Sequence, residues 1–191
     1  RFEIGDDPVQ NKSFFNLCTF VTDEHLKKPS LSPNNHVFLK GVDKISFNNC
    51  SFMNKTDINT YNWFNRGTGI YSSRASFTLD GSNDPWTGSP IDSEQTTFYK
   101  LQYGIRSAGF NDPDAFYTCK EQEFQYCLYG IVNYNTDNVL IYLNNFKLPD
   151  AAGFNSNETV ERGIYLTNST GYVVEQNTFD GFDDFQVNDD F

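Results

Sequence analysis

The sequence predicts an all-β chain folded as a right-handed parallel β-helix, a solenoid of about five to six coils with loop insertions. Three observations lead there. First, one unit recurs. Gly163 to Phe179 (GIYLTNSTGYVVEQNTF) returns as Gly130 to Phe146 (GIVNYNTDNVLIYLNNF) and as Val37 to Phe52 (VFLKGVDKISFNNCSF), with 15 residues from the leading aliphatic to the closing Phe each time. Second, 19 Phe and 11 Tyr, with scattered Asn and Gly, favour strands. Third, no stretch sustains the i, i+3, i+4 apolar spacing of a helix over three turns.

Each element of the unit has its own signature. The closing strand ends on Phe20, Phe52, Phe98, Phe124, Phe146 and Phe179. Two positions earlier stand Cys18, Cys50, Thr96, Gln122, Asn144 and Asn177. The opening strand is marked by Gly69-Ile70, Gly104-Ile105, Gly130-Ile131 and Gly163-Ile164, with Val37 at the equivalent place in the earliest clear unit. Each unit holds two or three strands of three to five residues and no helical segment, which excludes leucine-rich, ankyrin and tetratricopeptide repeats. Propeller blades need hairpin turns between alternating runs, and neither Asp80-Gly81 nor Asp180-Gly181 sits between two such runs. Stacked coils remain, each about 4.8 Å above the last.

Stacking assigns roles to the repeated positions. Phe20, Phe52, Phe124, Phe146 and Phe179 form an apolar ladder, and Asn144 and Asn177 stack at a coil corner with their amides paired along the axis. Cys18 and Cys50 substitute there as small buried residues, so that free thiols are expected rather than a disulfide framework. The four cysteines include no CxxC pair, and a zinc site is excluded on spacing. Insertions are expected near 26–35, 81–93, 110–115 and 148–158, where Pro, Gly, Ser and Asn collect. The chain, residues 1–191, reads as one β-helix module cut from a larger protein, since it begins at Arg1 and ends on VNDDF.

A net charge of −11 repels phosphate backbones, which argues against nucleic acid as a partner. No apolar run approaches the roughly 20 residues of a membrane-spanning helix, so no membrane insertion is expected.

The units GIYLTNSTGYVVEQNTF and GIVNYNTDNVLIYLNNF resemble the parallel β-helix repeats of very large secreted proteins of Bacteroidetes bacteria, which typically end in a type IX secretion sorting domain. The likeness covers about Val37 to Phe179. It implies export across the outer membrane and a place on, or release from, the cell surface. It carries no catalytic residues with it.

Candidate chemistry is sparse. Pectin hydrolases of this fold use Asn-Thr-Asp, an Asp-Asp pair, Gly-His-Gly and Arg-Ile-Lys. The chain has Asn135-Thr136-Asp137 and Asp183-Asp184, but no histidine follows them and no Arg-Ile-Lys occurs. Asn and Asp are also the residues a repeat turn requires. Pectate lyases of this fold hold Ca²⁺ on Asp, and Asp80 and Asp84 in DGSND are the candidate metal ligands, in a loop without the distal Glu of a calcium hand. Arg66, Arg74, Arg106 and Arg162 are spread over several coils, and His25 and His36 lie near no nucleophile motif. Tyr61, Trp63 and Trp86, beside Asn and Asp, are the candidate sugar-stacking residues.

The expected function is a non-catalytic β-helical module of a secreted or cell-surface bacterial protein, adhesive or glycan-binding, with a glycan or host or cell-surface polymer as partner. No cofactor is required, Ca²⁺ being the one candidate. Two alternatives stand beside it. One is a polysaccharide lyase or hydrolase with part of its site elsewhere; the other is cargo bound to the outer-membrane secretion machinery.

Overall fold

Parallel strands joined by short corners wind through three sheets in strict rotation. The computed structural model describes residues 13–22, 35–55, 66–81, 97–148 and 162–180. Numbered in chain order, sheet A contains β1 (Ser13–Asn16), β4 (Ile45–Asn48), β7 (Phe77–Asp80), β10 (Tyr117–Lys120), β13 (Leu140–Tyr142) and β16 (Val173–Glu175). Sheet B contains β2 (Thr19–Thr22), β5 (Ser51–Asn54), β8 (Thr97–Tyr99), β11 (Glu123–Gln125), β14 (Asn145–Lys147) and β17 (Thr178–Asp180). Sheet C contains β3 (Asn35–Lys40), β6 (Thr68–Ser73), β9 (Tyr103–Ala108), β12 (Tyr129–Tyr134) and β15 (Arg162–Thr167). Each strand pairs with the strand three places on in the chain, always in parallel. This is a parallel β-helix. No helix occurs among the described residues, hence none long and apolar enough to cross a membrane.

The closing phenylalanines are the spine of sheet B. Phe20, Phe52, Phe98, Phe124, Phe146 and Phe179 are mutual register partners. Their rings stack at centroid spacings of 4.9, 4.8, 4.7, 4.7 and 4.9 Å. The strand spacing sets that distance, and the rings follow it. Opposite them, sheet C presents Gly69, Gly104, Gly130 and Gly163. A Cβ at Gly69 would fall 2.8 Å from Phe98 Cδ1, and one at Gly104 2.6 Å from Phe124 Cδ1. The Gly-Ile landmark and the closing Phe are therefore two halves of one contact. The sheet C strands reach six residues, longer than the three to five expected.

Aliphatic columns complete the interior. Val37, Ile70, Ile105, Ile131 and Ile164 line up in sheet C, and Phe47, Leu79, Cys119, Ile141 and Val174 in sheet A.

Each corner has a fixed chemistry. Between sheets A and B the first of two corner residues is left-handed, at Leu17, Asn49, Glu121, Leu143 and Gln176, with φ from 49° to 58°. The second turns inward. Asn144 Nδ2 donates to Asn177 Oδ1 (2.9 Å) and to the Cys119 carbonyl (3.0 Å), while Asn144 Oδ1 accepts from the Gln122 backbone N–H (2.9 Å). Buried corner N–H groups are satisfied this way along the axis. Cys50 Sγ donates to the Phe15 carbonyl, and Cys18 Sγ to the Asn16 carbonyl, so thiols hold the same place in the first coils. All four cysteines are free.

The insertions leave at corners. Residues 110–115 fall in the connection from β9 to β10, where the Asp114 backbone N–H donates to Asp112 Oδ1. The expected insertion 26–35 ends one residue too late, because Asn35 already pairs with Thr68 in sheet C. Segments 23–34, 56–65 and 149–161 all join sheet B to sheet C, and 82–96 joins β7 to β8.

Phe146→Ala is expected to lower unfolding free energy by about 3–5 kcal/mol in a urea titration. The Phe–Gly contact has a sharper test. Gly163→Ala places a Cβ 2.5 Å from Phe179 Cε1, so its cost should shrink in a Phe179→Ala background. Additive losses would contradict the contact.

Candidate functional site

The outward positions of sheet C form three columns along the helix axis. Register places Asn35, the buried Thr68, Tyr103, Tyr129 and Arg162 in one, just ahead of the glycine column, and Phe38, Tyr71, Arg106, Val132 and Tyr165 in the next. Lys40, Ser73, Ala108, Tyr134 and Thr167 make the third. Seven of these positions are Phe, Tyr or Arg in the central and flanking columns of β6, β9, β12 and β15, and none is Asp or Glu.

The side chains are organised around Arg106. Its guanidinium carbon lies 5.3 Å from the Tyr103 ring centroid, 5.5 Å from Tyr71 and 5.9 Å from Tyr134. Tyr103 stacks on Tyr129 at 5.1 Å and Phe38 on Tyr71 at 5.2 Å. Arg162 sits 4.4 Å over Tyr165, which meets Tyr134 edge-on. Val132 is 1% exposed although alternation points it outward, and it forms the floor between Arg106 and Tyr165. Phe38, by contrast, is 55% exposed. Burial raises the Tyr103 phenol above its ordinary range, with Arg106 opposing the shift. The rings are half-buried platforms that hold a guanidinium among them.

Charge is arranged differently on the other two faces. On sheet A, Lys120 Nζ lies 3.9 Å from Asp80 and 3.4 Å from Glu121; on sheet B, Lys147 pairs with Glu123. Neither Arg106 nor Arg162 forms a salt bridge among the described residues.

Of the binding and metal candidates drawn from sequence, Asp80 alone is among the described residues. Tyr61, Trp63, Trp86 and Asp84 lie outside the described residues. Asp80 faces outward from sheet A in the ion pair with Lys120, and no group of three metal-ligating side chains occurs among the described residues. The Asn135-Thr136-Asp137 tripeptide is a corner. Asn135 is left-handed (φ 48°), Thr136 Oγ1 lies 3.1 Å from Ser107 Oγ in the interior, and Asp137 Oδ1 accepts from the Thr170 backbone N–H at 2.6 Å. The sheet C face was missed, although its signal was present. Six of the eight residues flanking the four Gly-Ile pairs are aromatic or basic, namely Tyr71, Tyr103, Arg106, Tyr129, Arg162 and Tyr165, the other two being Thr68 and Val132.

His36, which lies near no nucleophile motif in sequence, is a strand residue. It occupies β3 at the position of the glycine column, stacked 6.4 Å from Phe52, with Nε2 hydrogen-bonded to Thr22 Oγ1 at 2.7 Å. Burial lowers its pKa from 6.5 to about 4.

Searches against protein-family models, curated proteins and solved structures find no match to this chain. The resemblance to exported Bacteroidetes repeats stands on the repeat pattern alone.

Because the fold disfavours the protonated imidazole, the unfolded chain binds the proton first as pH falls. Stability held above pH 6.5 is lost between 6.5 and about 4, by roughly 2–3 kcal/mol. The loss in unfolding free energy from pH 7.5 to pH 4.5 should be smaller by about that amount in His36→Gln. Superimposable profiles would show that the imidazole is not desolvated.

Proposed function

We propose that the chain is a non-catalytic β-helical binding module of a secreted or cell-surface bacterial protein, and that it binds a glycan through the outer face of sheet C. The arrangement of Tyr71, Tyr103 and Tyr134 around Arg106 carries this reading. Flat aromatic rings stack on the C–H faces of sugars, and a rigid sheet holds them without the entropy cost of ordering loops. The regular strand spacing offers a repeating polymer a repeating surface. The surface placement follows the resemblance of the repeat unit to exported β-helices.

A polysaccharide-cleaving reading needs paired carboxylates within reach of one bond. Asp80 and Asp137 lie at different places in the coil, one in an ion pair with Lys120 and the other anchoring the Thr170 corner. Neither faces the aromatic surface.

Titration calorimetry against a panel of neutral and acidic plant, algal and bacterial polysaccharides tests the proposal. At least one polymer should bind without being shortened, and Tyr71→Ala and Tyr134→Ala should each weaken it about 3- to 10-fold. Chain shortening, or ring variants that bind as well as the parent, would overturn it.

A further inference from the structure

Arg106 and Arg162 on sheet C lack, among the described residues, the carboxylate partners that Lys120 on sheet A and Lys147 on sheet B possess. Lys120 and Lys147 each meet a carboxylate on their own face. Arg106 and Arg162 meet none among the described residues, and no outward position of sheet C carries Asp or Glu. This occurs in a chain of net charge −11, with 25 acidic residues against 14 basic. None of the nine carboxylates among the described residues stands at an outward position of sheet C. Their absence leaves two guanidiniums on a face that is otherwise aromatic.

We infer that the ligand of this face is an acidic glycan, in which Arg106 receives a carboxylate or sulfate group while the tyrosines beside it stack on the sugar rings. The inference rests on the proposed glycan-binding role and specifies the polymer class.

The geometry suits the task. A guanidinium lying over a ring keeps its N–H edge available, and that edge matches the two oxygens of a carboxylate or the face of a sulfate. Three rings within 6 Å hold the Arg106 fork in place, so little rotamer entropy is lost when an anion arrives. Val132 beneath is dry, which lowers the local dielectric and strengthens the pair. Arg162, two strands further along the sheet and held over Tyr165, gives a polymer a second acidic contact at a separation of roughly 10 Å along the axis. The net charge of −11 opposes approach of a polyanion at low salt, a repulsion that salt screens beyond about 8–10 Å, so the local contacts of Arg106 carry the binding.

The decisive experiment uses polygalacturonate, the same polymer with its carboxyl groups reduced to alcohols, and a sulfated galactan. The full chain and its Arg106→Gln, Arg106→Lys and Arg162→Gln variants are compared by calorimetry, with circular dichroism confirming unchanged folding. An acidic polymer should bind the parent chain about 10- to 100-fold more tightly than the reduced one, and Arg106→Gln should erase most of that difference. Arg106→Lys should recover only part, because a point charge does not form the paired contact. Arg162→Gln should cost less than Arg106→Gln. Preference for polygalacturonate identifies carboxylate as the acidic group, and preference for the galactan identifies sulfate. Equal binding of the acidic and reduced polymers, or indifference to Arg106→Gln, would overturn the acidic ligand while leaving a glycan-binding face intact. Failure of these polymers and of the neutral panel alike would overturn the face itself.

Discussion

The structure depends on one steric fit, between a phenylalanine ring in sheet B and the missing Cβ of a glycine in sheet C. At Gly69, Gly104, Gly130 and Gly163 an added carbon would fall within 2.8 Å of a ring atom of the facing Phe. Without that space the rings could not sit over the axis, and without the rings the coil would have no apolar filling at that level. The fit repeats because parallel pairing brings equivalent residues into register every strand spacing. One favourable contact thus becomes a continuous ladder from Phe20 to Phe179. The one exception supports the rule. His36 replaces glycine in the first strand of sheet C and stacks on Phe52 with its imidazole desolvated.

The corners make the ladder possible. A tight two-residue turn between sheets A and B forces a left-handed residue at Leu17, Asn49, Glu121, Leu143 and Gln176, a conformation that costs about 1–2 kcal/mol for a side chain other than Gly. Inward amides and thiols at the next position offset part of that cost by satisfying buried backbone groups. Asn144 alone bridges the backbone of Gln122, the Cys119 carbonyl and the Asn177 side chain. The interior of the coil is therefore fully committed to structure. Its outer faces are what remain for binding, and on sheet C Arg106 and Arg162 meet no carboxylate among the described residues.

Much of this was legible in the chain. The closing phenylalanines, the amide-or-thiol corner and the Gly-Ile landmark were all readable, because a parallel β-helix writes its period directly into sequence. The outer face was harder to read, because it lies in ordinary tyrosines one step either side of Gly-Ile whose common side only the register reveals. Trp63 and Trp86, the sugar-stacking candidates, lie outside the described residues. Asn135-Thr136-Asp137, read as a repeat turn although its composition matches a catalytic signature, is a corner, with Thr136 buried and Asn135 left-handed. The left-handed ladder was not visible at all. Leu, Glu and Gln at those positions carry no signal for positive φ, which is imposed by stacking rather than by local preference.

Pulsed electron spin resonance across sheet A tests the stacked register most directly. Phe14, Thr118, Leu140 and Val173 share one outward column, three, four and five coil steps apart counted from Phe14. Labelling can proceed in a Cys18→Ser chain, because Cys50, Cys119 and Cys127 are buried and burial raises all three thiols, Cys50 to about 11 and Cys127 to about 12. Pairs of labels from Phe14 to each of the other three positions should give separations rising in equal steps, near 14, 19 and 24 Å at about 4.8 Å per coil. Separations that do not increase with coil number, or that rise in unequal steps, would contradict the parallel stack on which everything else is built.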